Sequence, residues 1–234
     1  VRELIVGFGE IGKAVKEAVC SDDVVVLDQG YPVPEAGFDV MHICFPYDEL
    51  FIAVVDKNIS DFRPKHVIVW STVPIGTCRK ITLETVHSPV ESRHPDLYLG
   101  IRTMERWIGC NIEEEGKWFE QYFRRTGLKP KIVLDTNFTE ALKLLSTTEY
   151  GVNLVFADYK RRIADDIGMD FELTKEWNKS YNRLYRELGL GDRFQKFVLD
   201  SPNGKIGGHC VRENSVLLNE QYPDEWVERI GEMK

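Results

Sequence analysis

Gly7-Phe8-Gly9-Glu10-Ile11-Gly12 stands between a short apolar run, Leu4-Ile5-Val6, and a stretch of helical spacing over 13–19. No other feature narrows the fold as much. After a strand, three glycines at this spacing meet separate steric needs. Gly7 permits a tight turn, Gly9 lets a ligand approach the backbone, and Gly12 allows close helix–strand packing. The helix opening at Glu10 and Ile11 offers amide donors and a partial positive charge to a phosphate. A second apolar run, Val24-Val25-Val26-Leu27, ends at Asp28, 21 residues after Gly7. An acid there accepts hydrogen bonds from ribose hydroxyls and repels a 2′-phosphate, so the pattern predicts NAD rather than NADP.

Short apolar runs continue over 38–45, 66–70 and 131–134, alternating with helix-like stretches over about 48–55 and 113–126. This alternation predicts an α/β architecture, a Rossmann-type doubly wound parallel sheet with helices on both faces. The Trp118, Phe119, Tyr122 and Phe123 cluster has the spacing of a core-facing helix stripe, and Glu113-Glu114-Glu115 reads as the acidic first turn of that helix. From Thr139 the character changes. Helical spacing runs without proline to about 167, with Thr139 as the expected cap and Gly168 as the stop. At 1.5 Å per residue such a helix spans roughly 42 Å. It suggests a homodimer in which each partner helps close the other's site. The remainder reads as shorter helices broken by a loop over 201–208. The expected domains are a Rossmann domain over 1–136 and a smaller, all-helical domain over 137–234.

Composition removes several alternatives. A net charge of −8 argues against a nucleic-acid binder, and no apolar run approaches the roughly 20 residues needed to span a bilayer. No basic, apolar leader precedes the first strand. Cys20, Cys44, Cys78, Cys110 and Cys210 are odd in number, scattered and without a CxxC. Neither a disulfide framework nor structural zinc is expected, and the reading is a cytoplasmic protein with no metal. His42, on an apolar strand, reads as a core histidine. His87 and His94 flank a loop, where they are either solvated or near substrate.

Ser71-Thr72-Val73-Pro74-Ile75-Gly76-Thr77 closely resembles a segment of the UDP-glucose/GDP-mannose dehydrogenase family. Other family motifs follow in the right order: the glycine fingerprint, His42-Ile43-Cys44-Phe45-Pro46, Thr139-Glu140-Ala141-Leu142-Lys143, and Gly207-Gly208-His209-Cys210. The last is most similar to members that oxidise UDP-N-acetylhexosamines. The resemblance implies an NAD-dependent oxidation of an alcohol carbon in a sugar-like substrate. In that chemistry Cys210 would attack the aldehyde from the first hydride transfer, and the thiohemiacetal would give up a second hydride. The resulting thioester is then hydrolysed. Lys143 would steady the developing oxyanion. Pro46, Ser71 and Thr72 would line the cofactor site, and His209 the substrate.

Departures accompany the match. The family usually has Asn where this chain has Thr147, and Asp where it has Asn214, which cannot take a proton at neutral pH. The family's acid falls on Val90, with Glu91 one position on as a possible substitute. The family's third domain, which grips the nucleotide half of the substrate, has no counterpart in the residues given. Two other readings stay open: an NAD-binding pseudoenzyme working as a sensor, and a single-step oxidation like that of β-hydroxyacid dehydrogenases with Lys143 catalytic and Cys210 incidental.

Overall fold

The computed structural model describes residues 1–92, 95–207 and 210–233. The chain divides into two compact units, Val1–Lys143 and Leu144–Lys234.

The first unit runs β1 (Glu3–Val6), α1 (Glu10–Ala18), β2 (Val24–Leu27), β3 (Val40–Ile43), α2 (Phe51–Phe62) and β4 (His66–Val69). It continues with β5 (Thr85–His87), α3 (Leu97–Thr103), β6 (Arg106–Cys110), α4 (Glu113–Arg125) and β7 (Pro130–Leu134). The seven strands form one sheet in the order β2-β1-β3-β4-β5-β6-β7. Every neighbouring pair is parallel except β5 and β6, which meet at His87 and Gly109. The fold is thus α/β and Rossmann-like. Strand order reverses at β1, with β2 on one side and β3 on the other, and such a reversal opens a crevice beyond the strand C-termini.

Strand alternation sorts the core into two layers. Ile5, Val40, Ile68 and Ile108 pack with Val15 of α1, Ile101 of α3 and Phe119 of α4. Leu4, Val6, Met41, Ile43, Val67 and Val69 face the other way, onto Phe51, Val55 and Phe62 of α2. Phe119 and Phe123 are fully buried and Tyr122 nearly so, as the helical stripe predicts.

Five elements differ from the sequence reading. β5, α3 and β6 were not foreseen: β5 has only three residues, and β6 begins with a charge. α2 starts at Phe51 rather than about 48, because the Asp48 carboxylate accepts the Leu50 N–H (2.9 Å) in a turn ahead of it. The long helix α5 (Thr136–Asp166) begins three residues before the expected cap, Thr139. Asp135, at φ +102°, performs the capping, its Oδ1 accepting the Asn137 N–H at 2.9 Å.

The second unit contains the rest of α5, then α6 (Glu172–Glu187), α7 (Cys210–Gln221) and α8 (Glu225–Glu232). Gly168, at φ +69°, ends α5 as anticipated. Gly151 is the one glycine of α5, and a Cβ there would meet Ile230 at 2.8 Å and Val211 at 2.9 Å. The helices therefore pack backbone-close at that point around a small core of Val155, Ile206 and Ile230. Among the described residues no helix is long and apolar enough to cross a membrane.

Candidate active site

The glycine loop lies at the crevice of the first unit. Gly7 has φ +90°, and a Cβ there would fall 2.8 Å from the Phe45 nitrogen. A Cβ on Gly12 would sit 2.1 Å from the Gly7 carbonyl oxygen. Gly9 is the opposite case, with nothing within 4 Å of its Cβ direction, so space remains over the backbone where α1 begins. Glu10 and Ile11 form the first turn of that helix. Asp28 follows β2, with Oδ2 accepting the Phe8 N–H (2.5 Å) and Oδ1 the Gln29 N–H (2.6 Å). A carboxylate oxygen has lone pairs for more than one donor, so these amides orient the group without exhausting it. The set fits a dinucleotide: turn, open approach, helix N-terminus and ribose acceptor.

On the same edge, the segments after β3, β4 and β5 are tied together by buried polar groups. Ser71, 2% exposed, donates from Oγ to the Phe45 carbonyl at 2.6 Å, just before the exposed Pro46. Thr72 is half-buried beside it. His87 is not a loop residue; it ends β5, fully buried, with Nδ1 at 2.9 Å from Thr139 Oγ1 and Nε2 at 3.1 Å from the Ser71 carbonyl. Burial holds its pKa down to about 3, and the Arg106 and Lys143 charges push the same way against the Ser71 hydrogen bond. Glu140, also buried, accepts the Gly76 N–H (2.6 Å) and the Cys78 N–H (2.8 Å), fixing the loop after β4 to the first turns of α5. Burial raises its pKa against those two bonds. Glu140 lay within a quoted motif, but no spacing rule identifies a carboxylate that clamps a distant loop.

Lys143 is 8% exposed, and its Nζ lies 3.4 Å from Glu91 Oε2. Val90, where the family's acid falls, is a buried apolar residue, while Glu91 faces the lysine. Arg106, which the sequence reading missed, enters the same neighbourhood through a bond from Nη2 to the Pro89 carbonyl (2.5 Å).

In the second unit, Thr147 and Asn214 come together. Asn214 Nδ2 donates to Thr147 Oγ1 at 3.1 Å, and Thr147 Oγ1 donates to the Leu144 carbonyl at 3.2 Å. Asn214 is 5% exposed. Cys210 is the first residue of α7, half-buried, one turn before Asn214. His209, like His94, lies outside the described residues.

One group of metal-type ligands occurs among the described residues: Glu3, Cys20 and His42. His42 is buried, and Trp70 Nε1–H donates to its Nδ1 at 3.1 Å. The neutral ring therefore carries its proton on Nε2, the nitrogen that faces Glu3 and Cys20, which is the wrong tautomer for a ligand there.

No family model matches the chain. It is similar to the UDP-N-acetyl-D-mannosamine dehydrogenase of Methanocaldococcus jannaschii, 23% identical over 219 residues that cover 84% of this chain and 47% of that protein. The chain thus spans about half the length of that relative. Among solved structures, the UDP-D-ManNAc dehydrogenase of Pyrococcus horikoshii superimposes with a TM-score of 0.74 at 16% identity, over 100% of this chain and 69% of that one. The 3-hydroxyisobutyrate dehydrogenase of Mycobacterium tuberculosis gives a TM-score of 0.64 at 11% identity, over 98% and 90%.

Proposed function

We propose that the chain is an NAD-dependent dehydrogenase, related to the nucleotide-sugar 6-dehydrogenases, that oxidises an alcohol carbon of a sugar-like substrate. One observation carries this reading: the glycine-loop crevice and the pair of buried Lys143 with half-buried Glu91 are built on loops and helix turns at the same sheet edge of the first unit. NAD, when bound, supplies the hydride acceptor. Gly7, Gly9, Glu10, Ile11 and Gly12 would hold its pyrophosphate, Asp28 its ribose, and Pro46, Ser71 and Thr72 its nicotinamide end. Lys143 would stabilise negative charge on the substrate oxygen as the alcohol is oxidised, which a fixed cation does without moving a proton. Cys210 would then add to the aldehyde, and the thiohemiacetal would be oxidised a second time. Glu91 and His209 would contact substrate.

A specific observation favours a shorter reaction. The Thr147 hydroxyl donates to the Leu144 carbonyl, and its oxygen accepts from Asn214. Neither side chain can take a proton from water, so hydrolysis of a thioester lacks the support that a carboxylate would give. On this second reading the oxidation stops at two electrons, Lys143 is catalytic and Cys210 is incidental.

Phe156, Tyr159 and Ile163 of α5 are between 41% and 48% exposed. We assign this apolar face to the contact between two copies in a homodimer.

The deciding experiment is a thermal-shift titration with NAD and NADP, each with and without UDP- and GDP-sugars, followed by turnover assays at 340 nm. Stabilisation by NAD and further by one sugar supports the reading. Two NADH formed per substrate assigns the covalent four-electron course, and one assigns the shorter reaction. No response to either cofactor overturns both.

A further inference from the structure

β6 runs against β5, so its first residue, Arg106, lands on the edge where β1, β3, β4 and β5 end. Its guanidinium is buried, with 1% of the residue exposed. Nη2 donates to the Pro89 carbonyl, and Cζ lies 5.7 Å from the centre of the Trp70 ring. Nε and Nη1 have no hydrogen-bond partner among the described residues. Burial lowers the pKa to about 10, the Glu91 charge opposing that shift, so the group stays cationic at neutral pH. Glu91 is in turn 3.4 Å from Lys143 Nζ.

Such an arginine is a poor device for stability alone. Desolvating a charge that makes one hydrogen bond outweighs what the bond returns, and apolar replacement of buried ionic groups is often neutral or stabilising. Its geometry suits another purpose. The Pro89 carbonyl that it holds lies two residues before Glu91, in the short segment that follows β5. We propose that Arg106 is a positioning residue: it fixes the 88–91 segment so that Glu91 stays beside Lys143. Glu91 stands one position beyond the place where the resemblance sets an acid, and this anchor gives the displaced carboxylate a defined seat. The kinetic consequence rests on the dehydrogenase reading; the structural consequence does not.

The test compares Arg106→Met, Arg106→Lys, Glu91→Gln and the Arg106→Met/Glu91→Gln double variant with the parent chain. Arg106→Met is expected to melt no lower than the parent and to bind NAD within about twofold. Amide hydrogen exchange over 88–92 should accelerate on the order of tenfold, with β1 to β4 unchanged. In turnover, kcat should fall by roughly tenfold or more while KM for substrate moves less than about threefold, because misplacement affects the reacting geometry. Arg106→Lys should recover part of that loss. The double variant should be no slower than the slower of the two single variants, since the effect runs through Glu91. Unchanged exchange over 88–92, or full kcat in Arg106→Met, overturns the proposal. A lowered melting point with kcat and KM intact does so as well, by leaving a structural role only. If the parent chain binds no cofactor and turns nothing over, the dehydrogenase reading fails, and the exchange measurement still decides the positioning role.

Discussion

Lys143 and Thr147 are one helical turn apart on α5, yet they keep different company. Lys143 belongs to the first unit, where charged and polar groups are buried and tied to named partners: Lys143 to the half-buried Glu91, Glu140 to the Gly76 and Cys78 amides, His87 to Thr139. Thr147 belongs to the second unit, where it meets the Leu144 carbonyl and the neutral amide of Asn214. The cores differ in the same direction. The first unit closes two apolar layers over a sheet, whereas the second has a small core of Val155, Ile206 and Ile230 and leaves Trp177 71% and Trp226 51% exposed. A closed core can hold charges in fixed geometry, because a low-dielectric interior makes every misplacement costly. Helices with apolar faces outward are suited to contact instead. The contrast predicts that electrostatics resides in the first unit and adaptation in the second.

The most direct way to break that contrast is Lys143→Ala. With NAD affinity retained, kcat should fall by about 10²–10³, or roughly 3–4 kcal/mol of transition-state stabilisation. Turnover within about threefold of the parent would move the chemistry out of the first unit. Next is acid. The unfolded chain binds a proton at His87 near pH 6.5, and the folded chain, held to about 3, does not. The His87 contribution is therefore present above pH 6.5 and lost as pH falls towards 3, at about 1.4 kcal/mol per pH unit. Glu3 and Glu140, whose burial raises their pKa values, act in the opposite sense. The clean observable is a difference in slope: between pH 6.5 and 4.5, His87→Gln should lose about 2.5 kcal/mol less stability than the parent in urea unfolding. Equal slopes would mean that His87 is not held neutral in the fold.

Asn214→Asp tests the second unit by supplying the missing carboxylate. Acid product per turnover should rise on the order of tenfold if hydrolysis was the unsupported step; an unchanged product ratio favours the two-electron course. The smallest effect is expected at the apolar surface. Ile163→Glu should change stability by no more than about 0.5 kcal/mol, while a sedimentation experiment shows a shift from dimer to monomer. A monomeric parent chain would remove the role assigned to that face.

What could be read from the residues follows the same division. Gly7, Gly9, Gly12 and Asp28 were legible because each answers a local steric or hydrogen-bonding need at a fixed spacing. β5 was not, since Thr85-Val86-His87 is too short to show a period and its histidine looks like a loop residue. β6 hid behind Arg106, a charge that belongs to a surface until the reversed strand direction carries it inside. The cap of α5 was misplaced because Thr139 has the right residue type, while Asp135 does the capping from a left-handed conformation no propensity scale anticipates. Glu140 sat in plain view, but its two amide partners lie 62 and 64 residues away. Thr147 and Asn214 were noticed through resemblance; their mutual hydrogen bond is a fact of packing.

The thiols carry a practical consequence. Cys20, Cys44, Cys78 and Cys110 all have their ionisation pushed up by burial, so thiolate at these positions is scarce at neutral pH. Cys210 stands half-buried at the head of α7. A maleimide dye would then mark one position of five, and the second unit could be followed by fluorescence in a chain that needs no cysteine removed.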